Sequence, residues 1–142
     1  MKGVYLLLLQ LDESQPISIG RLGVQYFARG FYVYVGSALN GLEARVNRHL
    51  SRKKKHFWHI DYLLDKARIC EAILIPIPER MECTLAMALN KNLFCMRHFG
   101  SSDCNCPGHL FFATGREELE TQVMRILADL SLSYYRRSDT AN

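Results

Sequence analysis

Between Phe31 and Leu50 the chain reads FYVYVGSALNGLEARVNRHL, and its reactive side chains are phenols followed by guanidiniums. In a strand successive side chains point to opposite faces, so Tyr32, Tyr34 and Gly36 share one side while Val33 and Val35 take the other. Tyr34 then stands beside a glycine at the strand's end, where another group can approach closely. Gly3 and Tyr5 share a face of the first apolar run in the same way. Pairing of the two runs would set both phenols over a helix that carries Arg45. Arginine grips anionic oxygens bidentately through a planar fork and keeps its charge. A free phenol is a poor base, with a pKa of about 10, and a nearby guanidinium or metal-bound water lowers that value by favouring the phenolate. Taken singly, Tyr5 and Tyr34 read as half-buried sheet aromatics and Arg45 as a solvated helix residue; the combination is what points to chemistry.

The cations are unevenly placed. Arg45, Arg48, Arg52, Lys53, Lys54 and Lys55 follow one another closely, with His49 and His56 among them, although the formal net charge is only +4. Such a cluster suits a polyanionic partner. The same run also reads as a solvated helix end and loop.

These residues need a scaffold. With 142 residues, 49% of them hydrophobic, the chain has enough apolar surface for one domain of the α+β class. GVYLLLLQL (3–11) reads as a central strand, and residues 17–36 as two strands punctuated by glycines. Asn40 with Glu43 forms a capping-box pattern, so a helix is expected from about Gly41, with Leu42, Val46 and Leu50 inward. A second helix is expected over 56–67, a strand over 69–77 and a third helix over 79–92. A loop over 99–108 and a short strand over 109–114 follow. Thr114 with Glu117 caps a last helix, about 115–136, before a polar tail. No run approaches the roughly 20 apolar residues that span a bilayer. Five cysteines and no secretory signal point to reduced thiols and a cytoplasmic setting.

GVY (3–5) and YVG (34–36), then an arginine-bearing helix and later a glutamate on another helix, resemble the GIY-YIG nuclease superfamily. HFWHIDYLL (56–64), ECTLA (82–86) and FGSSDCNCPGHLFF (99–112) look like its small stand-alone Uri-type branch, so the resemblance covers residues 3 to about 113. It implies a three-stranded antiparallel sheet flanked by helices, and a metal-dependent endonuclease that hydrolyses DNA phosphodiesters with water. By the same resemblance Tyr34 is, or positions, the general base, and Tyr5 supports it. Arg45 stabilises phosphate charge, His49 lies one turn later near the nucleophile, and Glu82 holds a single Mg²⁺ or Mn²⁺. A lone carboxylate suits Mg²⁺, which keeps much of its water and takes substrate phosphate as a further ligand. Glu79 is a rival to Glu82, although an acidic residue just after Pro78 ordinarily complements a helix dipole. Arg48, Arg52, Lys53, Lys54 and Lys55 would contact the DNA backbone, structured or damaged DNA being the expected substrate. Ser37 stands where the related excision-repair nucleases carry a lysine, and the segment from Tyr5 to Tyr34 is longer than the superfamily's usual one. A basic module of the same fold that binds nucleic acid with little or no cleavage is the alternative.

A second group comprises Asp103, Cys104, Cys106 and His109, with Cys83 able to join from its helix. The types suit zinc, but zinc motifs usually present two close pairs and only one is evident. The other reading is a loop packed against the active site. His59 and Asp61 lie two apart and cannot share a helix face; they line the site from a helix start or cap it. Trp58 is assigned to the core, because stacking platforms use several aromatics.

Overall fold

The structure is a computed structural model that describes residues 1–51, 55–100 and 106–138. β1 (Gly3–Leu11) is its centre, antiparallel to β4 (Gly30–Ala38) on one side and to β5 (Arg68–Pro76) on the other. Beyond β4 lie β7 (Leu110–Ala113) and β6 (Phe94–Met96), and beyond β5 lies β8 (Tyr135–Ser138). The order β6-β7-β4-β1-β5-β8 makes a six-stranded antiparallel sheet, twice the three strands expected. β2 (Gln15–Ser18) and β3 (Val24–Phe27) form a separate ribbon, so the region from 17 to 36 holds three strands rather than two.

β1 is apolar throughout because helices cover both sheet faces. Tyr5, Leu7, Leu9 and Leu11 pack with Tyr32 and Tyr34 against α1 (Leu42–Leu50) and α2 (His59–Leu63). Val4, Leu6 and Leu8 pack with Val33 and Val35 against α3 (Glu82–Asn90) and α4 (Arg116–Asp129). The period-two alternation thus sorts the two tyrosines to the α1 side and the two valines to the α4 side. Among the described residues no helix is long and apolar enough to cross a membrane.

Helix ends depart from expectation in one consistent way. α1 starts behind Gly41, which takes the left-handed conformation at φ 66°, and no side chain caps it. α4 likewise starts behind Gly115 without a side-chain cap, so neither the Asn40/Glu43 nor the Thr114/Glu117 box forms. α2 is much shorter than the 56–67 expected. Its start is fixed by Asp61, whose Oδ2 accepts the N–H groups of Phe57 (2.8 Å) and Trp58 (2.9 Å), and such capping by an acceptor side chain sets where the turn begins. α4 ends at Asp129, short of the 136 expected, and Tyr135–Ser138, expected as the helix's end and the start of a polar tail, instead pair with β5 from Glu71 to Leu74.

Candidate active site

The register of β1 on β4 decides what lies together. Tyr5 is directly opposite Gly36, and Leu7 opposite Tyr34, so the two phenols are diagonal neighbours with ring centroids 6.3 Å apart. A Cβ at Gly36 would collide with the Tyr5 ring; the glycine is what lets that ring lie flat over β4. α1 crosses above. His49, buried on its last turn, brings Nε2 to 2.7 Å from the Tyr5 hydroxyl, and its Nδ1 lies 4.0 Å from Asp61 Oδ1. With the ring proton on Nδ1, Nε2 accepts and Tyr5 donates.

Arg45, one turn earlier on α1, donates from Nη1 to the Ser37 carbonyl at 2.9 Å and lays its guanidinium 4.5 Å from the centre of the Trp58 ring. The Arg48 guanidinium lies 4.4 Å from the same ring. Two cations on one indole are held by its quadrupole and by their anchors, each such contact being worth about 0.5–2 kcal/mol. Arg48 also forks onto Asp61, Nη1 to Oδ1 at 3.0 Å and Nη2 to Oδ2 at 3.1 Å, and donates to the Lys55 carbonyl at 2.9 Å. Its charge is therefore spent on positioning α2 and Trp58, where DNA contact was expected. Lys55 is exposed. Arg52, Lys53 and Lys54 lie outside the described residues, as do Asp103 and Cys104.

Glu82 opens α3 on the far side of an open groove of about 420 Å³. Tyr5, Tyr34, Arg45 and Glu82 all line that groove, with Trp58, Arg80 and His109 beside them. Glu79, the rival carboxylate, is exposed and is not among the lining residues. His49 is not among the lining residues but backs them, bonded to Tyr5 and with its ring 6.4 Å from that of Tyr34 and 5.9 Å from that of Trp58. A phenol, a guanidinium and a carboxylate from β4, α1 and α3 thus converge on one concavity.

Electrostatics refine the picture. Burial pushes the Tyr34 phenol well above its ordinary value; Tyr5 and Asp61 push the same way, and Arg45 opposes them without winning. Burial raises Tyr5 too, again against Arg45. Arg45 thus acts in the expected direction, but the net lowering expected of guanidinium and metal-bound water together is absent from the free protein, because desolvation of a phenolate outweighs one neighbouring cation. Asp61 goes the other way. Burial would raise it, but the Arg48 fork and the two backbone N–H groups hold the carboxyl below its usual value.

The sequence over residues 4–132 matches a family described as a domain of unknown function, DUF123. The chain belongs to that family. No curated protein and no solved structure matches it. In this DUF123 chain the match runs from β1 through α4 and so contains every groove residue just named.

Among the described residues, part of the second expected cluster comes together. Cys106 and His109 meet Cys83 of α3, their donor atoms all within 4.8 Å of one another. His59 stands apart, accepting the Gly100 N–H on Nδ1 at 2.9 Å and packing against Phe99. Burial lowers the pKa of His59, and of His109 as well, where Glu82 opposes the effect. Sequence reasoning missed Arg80, and it placed Trp58 in the core, against which that residue packs while also lining the groove. Nothing in the spacing marks an arginine two residues before Glu82 as a groove residue, whereas Trp58 stands beside the basic run that flanks it.

Proposed function

We propose that this DUF123 chain is a metal-dependent endonuclease that hydrolyses DNA phosphodiester bonds, with the groove between α1 and α3 as its active site. The observation that carries the reading is the convergence of Tyr34, Arg45 and Glu82 on that groove, together with the likeness of GVY, YVG and their sequels to GIY-YIG nucleases. Hydrolysis adds charge to an anionic phosphate, so fixed cations at the reacting centre are the main requirement. Arg45 meets it on one wall and Arg80 on the other. The Ser37 carbonyl and Trp58 hold Arg45 in place, so little side-chain freedom remains to be lost on binding.

Glu82 suits a hard divalent ion, since it supplies carboxylate oxygen at the groove and leaves room for water and substrate phosphate. When bound there, Mg²⁺ or Mn²⁺ would offset charge developing on the phosphate and acidify its water. Tyr34, neutral in the free protein, orients the attacking water through its hydroxyl. It becomes a base only when a cation beside it offsets the burial that keeps its proton on. Tyr5 supports it from the neighbouring strand, and His49 offers the Tyr5 proton an acceptor at 2.7 Å.

Burial of both phenols favours a second reading, a DNA-binding module of the same fold that cleaves slowly or not at all. A panel of structured, damaged and plain duplexes with Mg²⁺ or Mn²⁺ separates the two. Cleavage by the native protein is expected to fall by at least about 100-fold in Arg45→Ala, the scale of losing one charge-stabilising donor, and to vanish in Glu82→Gln. Salt-sensitive binding should survive in Glu82→Gln. A native protein that binds the whole panel and cuts none of it rejects the nuclease and leaves the binding module.

A further inference from the structure

Beside the groove, where the start of α3 comes close to the start of β7, a set of soft donors is gathered from three separate places. Cys83 lies in the first turn of α3, Cys106 in the segment before β7, and His109 immediately before β7 begins. From these positions we infer that Cys83, Cys106 and His109 form a zinc site, distinct from the oxygen-donor site at Glu82. The inference does not depend on the nuclease reading.

The donor chemistry selects the ion. Two thiolates and an imidazole match the Cys₂His set of zinc and are a poor match for Mg²⁺. Bonds of roughly 2.3 Å to sulfur and 2.1 Å to nitrogen place tetrahedral donors about 3.6–3.8 Å apart. The three donors already stand within 4.8 Å of one another, so closing them on an ion takes about an ångström of movement. Cys83 is held in the first turn of α3, directly after Glu82. Cys106 and His109 are separated by Pro107 and Gly108, a spacing that lets two ligands from one turn meet one ion.

The turn itself is clamped. His98 donates its backbone N–H to the Pro107 carbonyl at 2.6 Å, and His109 donates to Phe99 at 2.7 Å. A Cβ on Gly108 would collide with the Met96 carbonyl, so only glycine allows the turn to lie against β6. The three ligands leave one tetrahedral position for water, and His109 also lines the groove. The ion would fasten the Phe99–Gly100 wall, against which Tyr34 packs at 6.1 Å, to the helix that presents Glu82. Loading requires loss of two thiol protons to the buffer, so affinity should weaken as pH falls.

The test uses the full chain purified under reductant. Metal analysis of the native protein should find about one zinc per chain, and exchange for Co²⁺ should give thiolate-to-metal charge transfer with tetrahedral ligand-field bands. Cys106→Ser should lose most of that charge transfer and bind zinc more than roughly 100-fold more weakly, since loss of mere outer-shell support already costs 10–100-fold. Glu82→Gln should keep both the spectrum and the zinc. Zinc should raise the thermal midpoint of the stripped native protein, a readout that needs no variant. Reduced native protein that holds no zinc and gives no thiolate band with Co²⁺ overturns the site. So does a Co²⁺ spectrum lost in Glu82→Gln and retained in Cys106→Ser.

Discussion

Asp61 carries more of the site than its position in a short helix suggests. Its side chain is fully buried, yet it accepts two arginine N–H groups and two backbone N–H groups, and it lies close to His49. Removing one partner of a buried pair leaves the other charge unsatisfied, at a cost of about 3–5 kcal/mol. Asp61→Asn should therefore lower stability by that order at neutral pH and release Arg48, Trp58 and Arg45 together. The pH dependence has a definite sign. The folded carboxyl is held below its ordinary value of 3.8, so between the two values the unfolded chain binds the extra proton. The stabilisation is complete above 3.8 and fades as pH falls through the folded value. Denaturant unfolding of the native protein and Asp61→Asn across pH 7 to 3 should show the gap narrowing only at the acid end; a gap unchanged by pH would place the effect in packing rather than in the charge.

At the scale of elements, Gly36 and the β1/β4 register bear the most weight. Gly36→Ala would drive a methyl into the Tyr5 ring, and overpacking of this kind costs about 1–3 kcal/mol. Because the ring must move, cleavage should fall further than stability alone accounts for, measurable as a lower kcat at a temperature where the variant is fully folded. Unchanged turnover would mean that the exact seat of Tyr5 is immaterial. The register itself was left open by the long segment between Tyr5 and Tyr34, but the strands and their faces were legible: GVYLLLLQL has no polar face, which marks a strand covered on both sides, and the alternation around Tyr34 sorts its neighbours between the two faces. The sheet's margins were not. β6 and β8 are three and four residues long, and β8 contains Arg136 and Arg137, which read as the end of the last helix and the start of a polar tail because edge strands are short and charged. In place, Tyr135 bonds Glu43 of α1 and Arg136 pairs with Glu71, contacts between residues too distant in sequence for any local pattern to announce. The two capping boxes failed for a related reason, since a glycine next to each box took the cap position instead. Of the site, Tyr5, Tyr34, Arg45, His49 and Glu82 were marked by motif and spacing, while Arg80 and the Arg48–Asp61 pair depend on tertiary approach.

Over the whole molecule, the distribution of charge separates cations that can meet DNA from those already engaged. The net charge of +4 is small, so if the chain binds DNA as proposed, the dependence of that binding on salt must come from local groups. Each phosphate neutralised releases counterions and adds about 0.9 to the slope of log K against log salt. Arg80 is exposed and lines the groove on the α3 side; Arg48 is forked onto Asp61. Arg80→Ala should therefore reduce the slope by about one while leaving unfolding almost unchanged. Arg48→Gln should do the reverse, lowering stability by breaking the buried pair, with little direct change in slope at a temperature where the variant stays folded. Titration of a labelled duplex at several salt concentrations measures both. Equal slopes for the native protein and Arg80→Ala would mean that the anionic strand does not pass along the α3 wall. The cleavage geometry, which needs phosphate between Arg45 and Glu82, would then lose its support from the molecule's own field.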